Sequence, residues 1–554
     1  MIPYALSLLA GAALPLAFAP FGQFWIAPLA YAVLLYLWKN VEAPRAFGLG
    51  FAFGCASFGF GTYWTFIAVR IMGGAPIAVA LFLTIGLVLV CAAFVGAAGF
   101  VAARWFRTGG AAARLVTLPA LFVLCEWLRG WAFTGFGWLS AGYSQTNSWL
   151  MGFAPILGVH GIGWAVLVTA GALVVIAEAA VASRAHEERR RRYAGVLAAA
   201  LAVAAVWVGG LAARAQRWTA PQPRTLSVAL LQGDIAQDQK WKPEQLTSTL
   251  DLYARLTVQN LGTDLIVWPE AAVPTLYEYV GKYVDDVRRV SAARGSTVLL
   301  GILLGAPDSP LEAESRDDAG ASGGRDSKEA GASDDSESND ARATNQPFQN
   351  ALIALTDPPQ TYVKRHLVPF GEYFPVPSFI RSWMRYMNLP TDDAVPGPRD
   401  QPPLDAAGQR LAVTICYEDV FGAEQLHYLP EATLLVDVSN DAWFGDSIAP
   451  HQHLQIAQVR AAEAGRYLLR ATNTGVTAVI DDGGRVEQTL PQFKPAVLKA
   501  TVRGFEGATP YARVGNWAVV LLALGAALTQ WPPVLDRARR RFGSSRQRSP
   551  PRGD

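Results

Sequence analysis

Leu411-Ala412-Val413-Thr414-Ile415-Cys416-Tyr417-Glu418-Asp419 is an apolar run of strand length that ends in a cysteine and then turns to charge. Such a run, bounded by polar residues, reads as a buried strand of a layered α/β fold. In open α/β sheets the ligand sites lie at the carboxyl ends of strands, and that is where Cys416 falls. Of the four cysteines (Cys55, Cys91, Cys125 and Cys416), it alone stands outside the long apolar segments described below. It therefore reads as a nucleophile; a buried inert cysteine, or a thiol that bonds another chain, are the competing readings. Glu418 and Asp419 would raise its pKa, so a cation must offset them if thiolate is to form.

Two other places repeat the pattern. In Ile266-Val267-Trp268-Pro269-Glu270 a proline stops an apolar strand and a carboxylate follows. Alone, Glu270 reads more readily as a solvated loop residue. In Tyr362-Val363-Lys364-Arg365-His366-Leu367-Val368-Pro369-Phe370-Gly371-Glu372-Tyr373, Lys364 follows an extended stretch; alone, it reads as a surface charge. Taken together, Glu270, Lys364 and Cys416 have the chemistry of covalent acyl transfer. The carboxylate takes the thiol proton, the thiolate attacks a carbonyl, and the ammonium and a backbone N–H after Cys416 stabilise the tetrahedral anion. His451 and His453 lack the neighbouring carboxylate or cysteine ligands of a metal site and read as part of a helix start. Neither a P-loop nor a Gly-rich dinucleotide motif between strand and helix occurs, so no metal and no cofactor are expected.

Working outward, further apolar runs at Ser227–Gln232, Asp264–Trp268, Thr297–Leu303, Asn350–Leu355, Thr433–Val438, Tyr467–Thr472 and Val476–Ile480 read as strands. Helical patterns at Glu244–Leu261, Tyr279–Ala293 and His451–Arg466 lie between them. This α/β domain is expected over 222–506. The Ser-, Gly- and acid-rich stretch 308–344 interrupts it and is expected to be a disordered acidic insert.

The flanks are of another kind. Hydrophobic residues make up 51% of the 554 residues and charged residues only 17%, against roughly a quarter in soluble domains. Apolar runs near 2–20, 22–38, 47–69, 75–103, 115–133, 158–182 and 194–213, and an eighth near 515–534, are expected to be transmembrane helices. Ala17-Phe18-Ala19 resembles a signal-cleavage triplet, but no Lys or Arg precedes the run, so it reads as the first span. A membrane domain over 1–214 thus precedes the α/β domain, and the basic tail 535–554 follows the last span. Lys39, Arg45, Arg104, Arg107, Arg114, Arg184 and Arg189–Arg192 share one side with that tail, while Arg70 and Arg129 face the other. Basic loops stay in the cytoplasm. Both termini are therefore expected to be cytoplasmic and the α/β domain extracytoplasmic. The 17 tryptophans suit membrane–water boundaries. A net charge of +2 gives no pull toward nucleic acid, and four cysteines exclude a disulfide scaffold.

The residues alone reach a membrane-tethered thiol acyltransferase, or an amidase passing its acyl group to water; a non-catalytic lipid- or partner-binding protein is the third reading. The order Trp268-Pro269-Glu270, Lys364 to Glu372, and Ile415-Cys416-Tyr417-Glu418 resembles the nitrilase (carbon–nitrogen hydrolase) superfamily. With seven spans before the domain and one after, the chain resembles its bacterial apolipoprotein N-acyltransferase branch. Glu126–Trp131, Gly142–Gln145, Leu231–Asp234, Ser439–Asp446 and Thr509–Asn516 match as well. The resemblance implies an αββα sandwich in the bacterial inner membrane, its catalytic domain periplasmic. It implies Glu270 as general base, Lys364 as oxyanion stabiliser and Cys416 as nucleophile. Glu372 and Glu418 match acidic positions that support activity, and Trp241, Asn350 and Tyr417 match positions lining or ordering the site. The implied donor is a membrane phospholipid, expected to be phosphatidylethanolamine, and the acceptor is the N-terminal amine of a diacylglyceryl-cysteine on an apolipoprotein. Two departures concern loop geometry: Gly137 stands where the family more often has proline, and the acidic insert is long. Glu372–Pro377 and Trp443–Phe444 read equally as a mobile lid or as ordinary packing.

Overall fold

The strand–helix alternation resolves into two sheets packed face to face in a computed structural model, which describes residues 1–106, 108–181, 186–306, 347–373 and 394–531. The first sheet holds β1 (Thr219–Gln232), β2 (Leu265–Val267), β3 (Val273–Leu276), β4 (Thr297–Gly305), β5 (Phe348–Ala354), β6 (Gln360–Val363) and β13 (Ala496–Gly507). Its order is β13-β1-β2-β4-β5-β6, with β3 also on β4. The second holds β7 (Leu404–Ala406), β8 (Gln409–Ile415), β9 (Leu434–Ser439), β10 (Leu468–Thr472), β11 (Ala478–Ile480) and β12 (Val486–Thr489), in the order β12-β11-β10-β9-β8-β7. The centres of both are parallel: β1, β2 and β4 in one, β8, β9 and β10 in the other. Central parallel strands are covered on both faces, which is why they read as unbroken apolar runs.

Side-chain alternation sorts β1 between the layers. Val228 and Leu230 point inward to meet Val413, Val436 and Leu469 of the second sheet. Ala229 and Leu231 point outward to Val280, Val284 and Tyr253. The latter belong to α8 (Pro243–Val258) and α9 (Tyr277–Ala292), the outer layer on that side.

Before the sandwich come seven labelled helices: α1 (Ile2–Ala13), α2 (Ile26–Leu37), α3 (Ala43–Gly61), α4 (Ile77–Trp105), α5 (Leu118–Arg129), α6 (Ala154–Val181) and α7 (His186–Ala215). After it, beyond α10 (Ala449–Ala464), comes α11 (Trp517–Thr529). Each expected apolar run contains a helix, but their lengths differ. Among the described residues, three helices are long and apolar enough to cross a membrane: Ile77–Trp105, Trp149–Ala180 and Arg192–Ala215. A fourth results if Ala43–Gly61 and Trp64–Met72, bent by 54°, form one span. Ile2–Ala17, Ile26–Leu37 and Trp517–Thr529 are shorter apolar helices. At 12 residues α2 reaches about 18 Å, short of the roughly 30 Å hydrocarbon layer. The insert 308–344 and the tail 535–554 lie outside the described residues, as do residues 532–534 of the last run.

Helix α10 joins the halves. Its Ala457, Ala461 and Ala464 pack on the second sheet, while Ile456, Val459 and Ala462 enter the core of the apolar helices. Polar side chains complete that seam. Gln452 accepts from Trp64 Nε1 (3.1 Å) and donates to Gly61 O (3.1 Å). Gln455 accepts from Ala19 N (3.1 Å), and Glu463 accepts from Val159 N (2.7 Å) while pairing with Arg460 (2.9 Å). Both members of that pair are buried. Glu463→Gln keeps the bond to Val159 but strands the guanidinium. It is expected to cost about 3 kcal/mol, read as a lowered midpoint in thermal unfolding of the detergent-solubilised protein.

The basic residues counted for orientation are not all loop charges. Arg114 is fully buried, donating to Leu35 O (2.8 Å) and pairing with Glu178 (3.2 Å). Arg129 is also buried, donating to Phe136 O, Trp138 O and Ser140 Oγ. It shapes the segment after α5 rather than marking a loop.

Candidate active site

The strand-end rule places the three candidate residues at one rim of the sandwich. Glu270 follows β2, Lys364 directly follows β6, and Cys416 directly follows β8. The Pro269–Ala271 turn lies tight against β4, because Gly301 there has no side chain: a Cβ would stand 2.2 Å from Pro269 O. Cys416 has φ +56°, a left-handed conformation that costs a non-glycine residue about 1–3 kcal/mol and recurs at functional sites.

All three are buried. Glu270 Oε1 accepts from Asn350 Nδ2 (2.7 Å) and Lys364 Nζ (3.2 Å), and its Oε2 accepts from the Asn440 backbone N–H (2.7 Å). Lys364 also pairs with Glu372 (2.7 Å), whose other oxygen accepts from Val368 N (2.8 Å). Burial opposes the charge on Lys364, but Glu270 and Glu372 outweigh it and hold its pKa well above the ordinary lysine value. Burial pushes the Cys416 thiol well up; Glu270 pushes it further, Lys364 pulls against both, Asp441 adds to the rise, and a Ser439 hydrogen bond opposes it. The resting cysteine is thus a thiol that needs a base.

Among the carboxylates, Glu270 and Asp441 act most on the thiol, while the adjacent Glu418 and Asp419 are engaged with other partners. Glu418 accepts from Ile415 N (2.8 Å), Arg365 N (2.7 Å), His366 N (3.1 Å) and Tyr362 Oη (3.0 Å). It ties the cysteine loop to the lysine loop. Asp419 turns inward to His453 Nε2 (2.9 Å).

Of the remaining expected residues, Asn350 and Glu372 touch the Glu270–Lys364 pair directly. Trp241 follows Lys240, whose ammonium lies 5.7 Å from its ring centre. Tyr417 faces the apolar helices: its hydroxyl donates to Gly135 O (2.6 Å), and its ring stacks on Trp138 (5.7 Å, 13°). Gly137 in the same segment lies against Val420, where a Cβ would stand 2.6 Å from Val420 Cγ1. Phe444 packs edge-on against Trp64 (4.9 Å); 374–377 of the other loop lies outside the described residues.

Sequence reading missed the layer beneath Cys416. His453, fully buried, sits between Asp441 Oδ1 (2.9 Å) and Asp419 Oδ1 (2.9 Å), with the Cys416 carbonyl 3.3 Å from Nε2. Arg470 closes the cluster against Asp437, Asp441 and Asp419. The histidine belongs to α10. Burial and Arg470 push the His453 pKa down, but Asp419 and Asp441 outweigh them and lift it to about 10. A raised pKa stabilises the fold fully below the unfolded value of roughly 6.5, and that contribution is lost as pH rises through about 10. Thermal midpoints of the wild type are expected to fall over this window relative to those of His453→Gln.

The family model for the apolipoprotein N-acyltransferase N-terminal domain matches residues 10–172, and that for carbon–nitrogen hydrolases matches residues 336–511. An apolipoprotein N-acyltransferase of Methylococcus capsulatus is 40% identical over 94% of this chain and 94% of its own length. The chain belongs to the apolipoprotein N-acyltransferase family. Relatives of the same name from Nitrosomonas europaea (40% identical; 91% of this chain, 92% of that one) and Azotobacter vinelandii (38%; 97% and 95%) agree. The match spans both halves, so the apolar helices and the sandwich are one family unit.

Proposed function

We propose that the chain takes a fatty acyl group from a membrane phospholipid onto Cys416 as a thioester and passes it to the N-terminal amine of a diacylglyceryl-cysteine on an apolipoprotein. Glu270 accepts the thiol proton. The thiolate attacks the ester carbonyl, and the tetrahedral oxyanion is stabilised by Lys364 and the Tyr417 backbone N–H. Collapse expels the lysophospholipid alkoxide, which recovers the proton from Glu270. The acceptor amine then attacks the thioester and yields its proton to Glu270; the thiolate leaves and is reprotonated. Glu372 and Asn350 hold Lys364 and Glu270, Glu418 holds the two loops, and Tyr417 and Trp241 order the surroundings. Phosphatidylethanolamine is the expected donor.

The observation that carries this reading is the buried Glu270–Lys364 pair beside a strained strand-end cysteine, on a loop whose next residue stacks on Trp138 in the segment between α5 and α6. A thioester placed there is shielded from water, which favours transfer over hydrolysis. We also propose a membrane domain over 1–214 with seven spans, the catalytic domain over 222–506 and an eighth span over 515–534, in the bacterial inner membrane. Both termini are then cytoplasmic and the sandwich periplasmic. The basic loops support that orientation, and short helices such as α2 cross by using the residues that flank them. The test is incubation with acyl-labelled phosphatidylethanolamine. Hydroxylamine-released label on Cys416, moving to a diacylglyceryl-peptide when one is added, is the expected result. An unlabelled protein that frees ammonia from small amides without lipid would favour the amidase instead.

A further inference from the structure

Lys240 is a cation at this site that the proposed reaction leaves unused. It ends the short helix Gln237–Lys240, just past the carboxyl end of β1, and is 2% exposed. Its ammonium donates to the backbone carbonyl of Glu270 at 3.1 Å. Among the described residues that carbonyl is its one hydrogen-bond partner, and no carboxylate pairs with it. A buried ammonium without a carboxylate is costly to keep. The segment carrying it is nonetheless held firmly. Asn440, whose N–H binds Glu270, donates its side chain to Gln237 Oε1 (2.9 Å), and Asn473 bonds both Ile235 N (2.9 Å) and Ile235 O (2.7 Å).

The charges Lys240 senses are those of Glu270 and Cys416. Around Cys416 stand Glu270, Lys364 and Asp441, with Arg470 behind. Lys364 is engaged by two carboxylates, which absorb much of its field. Lys240, with none, carries a charge that no carboxylate pairs with, while it senses that of Cys416. We propose that Lys240 is a positioning residue of the acyl-transfer site: its ammonium fixes the main chain at Glu270, and its charge favours the thiolate form of Cys416. This rests on the reading of Glu270 as base and Cys416 as nucleophile. Burial lowers the Lys240 pKa to about 8, with Glu270 and Cys416 opposing. The charge is therefore present below about pH 8 and lost above it, a range in which arginine would stay charged.

The test measures iodoacetamide alkylation of Cys416 against pH in the full-length protein, read by mass spectrometry of its peptide, for wild type, Lys240→Met and Lys240→Arg. Lys240→Met is expected to alkylate about tenfold more slowly at neutral pH. Lys240→Arg should stay within about twofold and lack the change of slope that the wild type shows near pH 8. Acylation by labelled phospholipid should fall in Lys240→Met through kcat, with KM little changed. A Lys240→Met alkylation profile that overlays the wild type overturns the proposal. If that variant does not fold, a Lys240→Arg profile with the same slope change near pH 8 overturns it equally. A wild type that alkylates as expected but takes no acyl group from phospholipid would instead overturn the acyl-transfer reading.

Discussion

Cys416→Ala is expected to leave no hydroxylamine-labile acyl group on the protein and no detectable transfer to a diacylglyceryl-peptide. The effect should be near-total because no other sulfur can substitute. Cys55, Cys91 and Cys125 lie on α3, α4 and α5, away from the Glu270–Lys364 pair. Alanine removes one atom from a position that is already buried, so the protein should remain folded, and loss of activity with an unchanged thermal midpoint is the diagnostic pattern. Label retained on Cys416→Ala as a thioester elsewhere, or retained transfer, would remove Cys416 from the reaction.

Lys364→Met is expected to slow acyl-enzyme formation on the order of 100-fold or more, by analogy with other oxyanion donors. Two losses combine. The cation that faces the developing oxyanion disappears, and Glu270 and Glu372, both ion-paired to the same ammonium, are left as like charges in a buried site. The second loss leaves the Glu270 charge uncompensated beside Cys416, which disfavours the thiolate, so the deficit should lessen as pH rises. Single-turnover acylation across a pH series separates the two contributions. Near wild-type turnover at all pH values would show that Lys364 does not stabilise the anion.

Two of the candidate residues were legible in the sequence because each closes an apolar strand, Glu270 after β2 and Cys416 after β8; Lys364 follows the more polar β6 and was read only from the extended stretch before it. The strands that could be read are the buried ones, such as β4 and β9. β12 and β13 escaped because they alternate with exposed residues and show no apolar run; β3, β6 and β7 are too short to stand out. What could not be read is proximity made by closing two sheets. Asn440 follows β9 by the same rule, yet nothing local says that its N–H meets Glu270. His453 reads as a polar residue at a helix start, and only the packing of α10 under the cysteine loop gives it two carboxylate partners, with Arg470 closing the cluster. Lys240 lies beside Trp241 in a polar stretch, and its burial is a property of the assembled rim.

Helix α10 carries a last consequence. In a free-standing αββα protein its outward side would meet water. Here the same side holds Ile456 and Val459 together with Gln452, Gln455 and Glu463, each answered by a partner in the apolar helices. Excising the sandwich as a secreted fragment would bare a surface too greasy for solvent and dotted with orphaned amides and acids. The chemistry of this rim has therefore to be studied with its apolar helical half attached.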